Sequence, residues 1–148
     1  LGLVKVSLQP TVIILFSFFM GAPMALATVA LYLFEGAMGL PVFQSTPERG
    51  LGLAYMVGPT GGYLVGFLLA SVVPSLLMSR LKSRHFMVLF TVTVATNILM
   101  IQAPGALYLS TFIGMSSALT VTSTFFVPSL IKGVMTASIV KLASRFIR

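Results

Sequence analysis

The sequence predicts an all-α integral membrane protein, a single helical bundle. The mean hydropathy of the 148-residue chain is +1.08, and only 7% of its residues are charged, against about 25% in an ordinary soluble domain. A soluble protein of this size needs more polar groups to cover its surface. Apolar runs of membrane-spanning length are bounded by glycine, proline or basic residues. No polar linker divides the chain, so residues 1–148 are predicted to form one transmembrane domain.

The first apolar stretch predicts two helices. Residues 6–40 contain one charged residue, Glu35, and are too long for a single span of about 20 residues. The sequence Gly21-Ala22-Pro23 interrupts the stretch, since proline ends a helix and glycine permits a turn. We therefore expect short helices at about 6–21 and 24–40, followed by a polar loop at 41–56.

Three further spans are expected at about 59–81, 86–102 and 129–147, the second of them stopping at Pro104-Gly105. Basic residues cluster at the ends of the first and last of these three spans: Arg80, Lys82, Arg84 and His85, and Lys141, Arg145 and Arg148.

The segment 105–127 is hydrophobic but rich in serine and threonine, and it admits two topologies. If it crosses the membrane, the two basic clusters lie on opposite faces. If it is an external, partly helical connection, both clusters face the cytoplasm, as the positive-inside rule favours. We predict the second topology, with five spans, a cytoplasmic C-terminus, and an external N-terminus and 41–57 loop. One helix ahead of Leu1 would explain an external N-terminus without a signal sequence.

The composition excludes several functions. The chain has no Cys, no Asp and one His, so no thiolate or clustered metal site can be built. No acid–base pair or nucleophile triad is visible, which predicts a protein that is not an enzyme and has no cofactor. The excess of basic residues lies at the ends of apolar runs, a pattern typical of contact with the lipid bilayer and not of nucleic-acid binding.

A glycine-rich turn opens the third span, at 58–63. Gly58, Gly62, Gly66 and Ala70 recur every fourth residue and are predicted to form one helix face that lets a neighbouring helix approach closely. Packing alone would explain this ridge. The helix start also offers free N–H groups to a polar ligand, and Tyr63 adds a ring and a hydroxyl.

Lys132 is the second candidate, because a charge inside a span is costly and marks a functional site by default. Ser129 and Thr136 share its helix face. Glu35, one turn after Tyr32, could pair with Lys132 or accept hydrogen bonds from a ligand. The alternatives are a lysine whose ammonium reaches the interface and an interfacial carboxylate. Together these residues favour an outward-facing pocket for a small, partly polar, anionic molecule.

Several motifs resemble the BioY family, the biotin-binding substrate subunits of energy-coupling factor transporters. The most specific are the Gly-Leu-Pro-Val-Phe sequence at 39–43 and the Gly-Pro-Thr-Gly-Gly-Tyr sequence at 58–63. Weaker likenesses are Leu8-Gln9, the segment 31–36, and the pair Gly105 and Tyr108. The resemblance implies a fold of six membrane helices with a biotin pocket near the outer face, of which this chain would hold the second to sixth helices.

The resemblance also implies site residues and partners. Lys132 would bind the carboxylate or ureido end of biotin, Ser129 and Thr60 would form hydrogen bonds, Gly61 and Gly62 would offer backbone contacts, and Tyr63 would pack on the ligand. Gln9 and Tyr108 would complete the substrate-binding set. The implied partners are an energy-coupling transmembrane subunit and ATPase subunits.

The chain departs from the family pattern at several positions. The basic residue usual after the Gly-Pro turn between the family's second and third helices is missing. Ser129 stands where the family commonly has Asp, and Pro128 where it has Gly. Because serine carries no charge, lower affinity is expected. The leading hypothesis is a biotin-binding membrane subunit that mediates biotin uptake. The alternatives are a truncated or degenerate relative without transport, and a substrate subunit for another small carboxylate vitamin.

Overall fold

The computed structural model describes residues 7–43 and 50–146, all of whose regular secondary structure is helical. Residues 1–6, the central part of the predicted 41–56 loop, and Ile147 and Arg148 lie outside the described residues. The helices, in chain order, are α1 (Gln9–Met20), α2 (Ala22–Ala37), α3 (Leu53–Met56), α4 (Gly61–Leu81), α5 (Phe86–Thr96), a π-helical segment (Asn97–Gln102), α6 (Ala103–Ile113), α7 (Met115–Ser123) and α8 (Phe126–Phe146).

The predicted all-α membrane bundle is confirmed. Three helices are long and apolar enough to cross a bilayer: Gly61–Leu81, Phe86–Ile113 and Phe126–Phe146. The helices α1 and α2 are apolar but shorter, with 12 and 16 residues. They meet at Gly21, whose φ of 78° is a backbone conformation that glycine adopts at little cost.

Helix α4 lies at the centre of the bundle and packs against α1, α2, the π-helical segment and α6. The contact with α1 and α2 is an apolar cluster that stabilises this half of the bundle. Its buried members include Ile14, Val29, Leu33, Leu64, Phe67 and Ala70.

The small residues of α4 permit a close approach of the π-helical segment and α6. A Cβ added to Gly66 would lie 2.5 Å from the carbonyl oxygen of Met100, and one added to Gly62 would lie 2.6 Å from that of Pro104. Ala70 is fully buried. The expected start of this helix at residue 59 needs correction, since α4 begins at Gly61. Gly58 therefore lies in the preceding turn and is not part of the helix face.

The predicted helix end before Pro104-Gly105 is wrong, because one continuous helix runs from Phe86 to Ile113. In the wider π-helical turn, the N–H of Ala103 donates to the carbonyl of Ile98, five residues back. Pro104 follows directly, at the start of α6. A proline breaks an α-helix through its missing N–H and its ring clash with the preceding turn. A local π turn is one of the adjustments that lets a helix pass such a residue.

Helices α5 and α8 run antiparallel. Near the start of α8, Ser129 bonds Asn97. Further along, an added Cβ at Gly133 would meet Val94 and Phe90, and Val140 shares a buried cluster with Leu89. The chain therefore passes along the bundle with 86–113, turns through the packed pair α6 and α7, and returns with α8. That 105–127 lies outside the membrane stays a prediction.

This pairing gives the bundle two distinct ends. We call the end where α4 finishes, α5 begins and α8 finishes the basic end. It carries Arg80, Lys82, Arg84, His85, Lys141 and Arg145. We call the opposite end, where α1, α4 and α8 begin, the cavity end.

Candidate functional site

A cavity opens at the cavity end of the bundle, between α1, α4, the π-helical segment and α8. The space between its walls is about 680 Å³, a figure that includes the open mouth. Its lining combines aromatic and aliphatic side chains with a few polar ones. The lining residues are Ser7, Gln9, Pro10, Tyr55, Thr60, Tyr63, Leu64, Phe67, Asn97, Ile101, Gln102, Phe125 and Lys132.

Lys132 lies on the cavity wall, within the second turn of α8. Only 7% of its surface is exposed. Within ranges 7–43 and 50–146, no hydrogen bond or ion pair engages its ammonium group. A buried ammonium is costly unless an anion or a strongly polar group meets it. The cavity is therefore suited to a ligand that brings acceptor oxygens to this wall.

Beside Lys132, three buried polar side chains form a hydrogen-bonded wall. Gln102 Nε2 donates to Ser129 Oγ at 2.5 Å and to Asn97 Oδ1 at 3.2 Å. The Ser129 hydroxyl lies 2.7 Å from the Phe125 carbonyl, to which it donates. Asn97 is only 2% exposed, and its Nδ2 has no partner among the residues that the structure describes. A buried donor without a partner costs about 1–3 kcal/mol, so a ligand carbonyl or carboxylate oxygen is its natural partner.

The π-helical segment explains why Asn97 and Gln102 meet. Residues five apart diverge by more than a quarter turn around an α-helix. In a π-helical turn the backbone bonds join residues five apart, so positions 97 and 102 stack on one face. Such turns occur frequently at functional sites, and here the turn aligns two carboxamides on the cavity wall.

The opposite wall is held by Gln9, at the start of α1. Its Nε2 donates to the Tyr32 hydroxyl at 2.8 Å, and that hydroxyl donates to the Val42 carbonyl at 3.3 Å. The Tyr32 ring meets Phe43 edge-on, and Phe43 stacks on Tyr55 with ring centroids 5.0 Å apart. These contacts fix the carboxamide of Gln9. They also hold Val42 and Phe43, which follow α2, against the rim of the cavity.

Thr60 and Tyr63, two of the residues predicted to contact a ligand, line the cavity. Their contact with a ligand stays a prediction. The Tyr63 hydroxyl lies 3.4 Å from Thr122 Oγ1 in α7. Tyr63 thereby links the cavity wall to the α6–α7 pair, while its ring offers an apolar surface to a ligand.

The structure places four other predicted site residues away from the cavity lining. Gly61 and Gly62 face Met56 and α6 at distances that leave no room for a Cβ. Tyr108 donates its hydroxyl to the Val57 carbonyl at 3.0 Å and so holds the turn before α4. Ser129 does not line the cavity but bonds two residues that do, Gln102 and Asn97. These residues shape the site without lining it.

Glu35 is half-buried near the end of α2 and is not among the residues that line the cavity. Across the described ranges it forms no ion pair with Lys132. The hypothesis that these two charges meet is therefore not supported by their placement.

Sequence reasoning missed part of the cavity lining. Asn97 and Gln102 were visible only as polar residues near a helix end, because an α-helical spacing does not predict that they face each other. Phe67, Phe125 and Tyr55 were indistinguishable from packing residues. The signal for Asn97 and Gln102 is their spacing: two carboxamide residues five positions apart, shortly before a proline in an apolar run.

The fold and the cavity together define a multi-pass membrane protein with an internal cavity. Within that class the chain belongs to the BioY family, whose sequence profile matches residues 1–148. The resemblance drawn from the motifs at 39–43 and 58–63 is thus confirmed. The family is one of transporters, so the prediction that the chain is not an enzyme is confirmed too.

Among curated relatives, the chain is 30% identical over 133 residues to the probable biotin transporter BioY of Pyrococcus horikoshii. That alignment covers 89% of this chain and 75% of the relative. It is 41% identical over 83 residues to the biotin transporter BioY of Thermotoga maritima, covering 56% of this chain and 47% of the relative. In the second case the chain therefore spans about half the length of the relative that it matches.

The fold is similar to a solved structure, the S-component for biotin from an ECF-type ABC transporter. The TM-score is 0.86, with 24% sequence identity, and the match covers 97% of this chain and 77% of the other. This likeness establishes the helical arrangement of the bundle.

Proposed function

We propose that this chain binds biotin in the described cavity and mediates its uptake with an energy-coupling module. One observation carries the proposal: the buried ammonium of Lys132 lies on the wall of a cavity that also presents aromatic, aliphatic and carboxamide side chains. Relatives that are named biotin transporters support the choice of ligand. Biotin has a carboxylate, a ureido carbonyl, and an apolar thioether ring with an alkyl chain. The lining offers donors suited to the first two and aromatic surface suited to the third.

The proposed mode of binding follows from the two kinds of lining. Lys132 and the Nδ2 group of Asn97 supply donors to an acceptor oxygen at one wall. The rings of Tyr63, Phe67 and Phe125 supply apolar surface for the thioether ring and alkyl chain. Displacing water from this apolar lining contributes roughly 25 cal/mol per Å² of buried apolar area. The polar wall then selects the orientation of the ligand.

The proposed partners are an energy-coupling transmembrane subunit and ATPase subunits, as the ECF-type transporter origin of the solved relative suggests. In this scheme the chain captures biotin and reorients against the coupling subunit, and ATP binds elsewhere. The charge distribution supports a cytoplasmic basic end and an outward-facing cavity end, because lysine and arginine favour the cytoplasmic side.

The direct test measures the binding of biotin to the purified chain by calorimetry, followed by uptake of labelled biotin into cells that also express a coupling module. Saturable binding with uptake is the expected result. Binding without uptake would favour a relative that has lost transport. Binding of another carboxylate vitamin, with no binding of biotin itself at micromolar concentration, would overturn the choice of ligand.

A separate prediction concerns Asn97. Replacing it with alanine removes the unpartnered donor, so biotin binding should weaken about fivefold to tenfold, since a hydrogen bond is worth about 1 kcal/mol. Calorimetry with three ligands locates the contact. If Asn97 binds the ureido carbonyl, wild type and Asn97→Ala should bind 2-iminobiotin with nearly equal affinity. If it binds the carboxylate, the same should hold for biotin methyl ester.

The control for Asn97→Ala is Ser71→Ala. Ser71 is also fully buried, but it bonds only its own helix, at the Leu68 carbonyl, away from the cavity. This variant should bind all three ligands as the wild type does. An equal loss for biotin, 2-iminobiotin and the methyl ester in Asn97→Ala would mean that Asn97 only supports the wall.

A further inference from the structure

A second depression lies at the basic end of the bundle, far from the ligand cavity. It is formed by Phe18 of α1, by Ser75, Met78 and Ser79 of α4, and by Lys82 and Arg84 in the connection to α5. It holds about 660 Å³ of empty space, including its open side. The proposed biotin function uses none of these residues.

The chemistry of this depression has two parts. Phe18 and Met78 give an apolar surface that is half-buried in the bundle. Lys82 and Arg84 are exposed and bring two cations to the same space, and Ser79 adds a hydroxyl oxygen at the rim. A ligand that fits both parts has an anionic head and an apolar tail.

The backbone at Lys82 is fixed in an unusual conformation. Lys82 has a φ of 49° and a ψ of 19°, and its N–H caps α4 by donating to the Met78 carbonyl at 3.0 Å. Lysine seldom adopts this left-handed conformation, which costs roughly 1 kcal/mol outside glycine. The turn holds the side of the depression in place and keeps Lys82 and Arg84 next to the end of α4.

The depth of the depression in the bilayer follows from the length of α4. The 21 residues of Gly61–Leu81 span about 31 Å at 1.5 Å per residue, which matches a hydrocarbon core of about 30 Å. Lys82 therefore lies at the level of the lipid headgroups. The charge around it is uniformly positive, since Glu35, the acidic residue of the described ranges, belongs to the cavity end.

We infer that this depression binds the phosphate of an anionic phospholipid, with the Lys82 and Arg84 side chains on the phosphate and an acyl chain along Phe18 and Met78. Basic pockets between membrane helices on the cytoplasmic side are suited to such headgroups. The site is independent of biotin and would anchor the basic end of α4 at one leaflet.

The test compares the melting temperature of the purified full chain in detergent with added phosphatidylglycerol, phosphatidylcholine or inorganic phosphate. Phosphatidylglycerol should raise the melting temperature of the wild type by about 3 °C or more, because a ligand that binds only the folded state stabilises it. Phosphatidylcholine and inorganic phosphate should each give less than about a third of that shift.

The variant Lys82→Ala/Arg84→Ala should lose the shift produced by phosphatidylglycerol. The matched control is Lys141→Ala/Arg145→Ala, which removes the same charge from the same end but leaves the depression intact. This control should keep the shift. An equal loss in both double variants would reduce the effect to general attraction of anions, and an equal response to inorganic phosphate would identify a free-anion site. Either result overturns the lipid site.

The two alanines could also weaken α4 itself. Native mass spectrometry of the same proteins supplies a second readout, in which phosphatidylglycerol remains bound to the wild type and to the control double variant. If the Lys82→Ala/Arg84→Ala protein retains as much bound phosphatidylglycerol as the wild type, the inference fails. Biotin binding by this variant should be unchanged, which keeps the lipid site separate from the proposed transport function.

Discussion

Replacing Lys132 with alanine is expected to weaken biotin binding about tenfold or more. A hydrogen bond to a charged group is worth about 1.5–3 kcal/mol, which corresponds to at least a tenfold change in the dissociation constant. The free energy of this contact should lie in the upper part of the range, because the side chain is only 7% exposed and water does not compete effectively for a buried ammonium. Calorimetry on the purified protein measures the change.

The control for this variant is Lys141→Ala. Lys141 belongs to the same helix, but it is exposed at the basic end, so its removal should leave biotin affinity unchanged. Lys132→Met, which keeps most of the apolar stem, should lose affinity as Lys132→Ala does. If both variants of Lys132 bind biotin as the wild type does, the ammonium does not contact the ligand. The main support for an anionic or strongly polar ligand would then be lost.

Substituting alanine for Gly66 is expected to lower the melting temperature by about 3–10 °C, because overpacking a tight contact costs about 1–3 kcal/mol. The added Cβ would lie 2.5 Å from the Met100 carbonyl oxygen and 2.6 Å from the Ile101 Cα. Both atoms are backbone, so the contact is relieved only by moving the π-helical segment away from α4. The direction of the change in melting temperature is informative, because Gly→Ala in an unconstrained helix would stabilise that helix by about 1 kcal/mol.

The neighbouring substitution Val65→Ala is the control. Val65 is on the outer face of α4, with 57% of its surface exposed, and its truncation should change the melting temperature little. Biotin affinity should fall with Gly66→Ala, because the displaced segment carries Asn97 and Gln102. A melting temperature equal to or above that of the wild type would show that α4 and the π-helical segment are not in close contact.

Much of the fold could be predicted from local signals. The apolar runs, the break at Gly21 and the basic residues after Leu81 set helix limits that agree with the structure within a few residues. These signals act within one segment, because each depends on the length of an apolar run or on the backbone preference of a single residue. Pro104 suggests a helix end that the structure does not have. Its effect depends on the turn before it, and a π-helical turn has no simple sequence period.

The lining of the cavity was predictable at one position, where the residue is chemically unusual. Lys132 stood out because a cation inside an apolar run is rare, and the structure places it on the cavity wall. The role of Gly62 is different, since its missing side chain makes room for α6. Asn97 and Gln102 could not be assigned to the site in advance. Their meeting with Ser129 depends on the pairing of α5 with α8, which connects residues about 30 positions apart in the chain.

The antiparallel pair of α5 and α8 has a mechanical consequence. The two helices touch closely at Gly133, against Phe90 and Val94, with the carboxamide wall beyond one side of this contact and Lys141 beyond the other. A rocking motion of the pair about Gly133 would displace its two extremities in opposite directions. Such a motion would couple a displacement of the end that carries Lys141 to an opposite displacement of the residues that line the cavity.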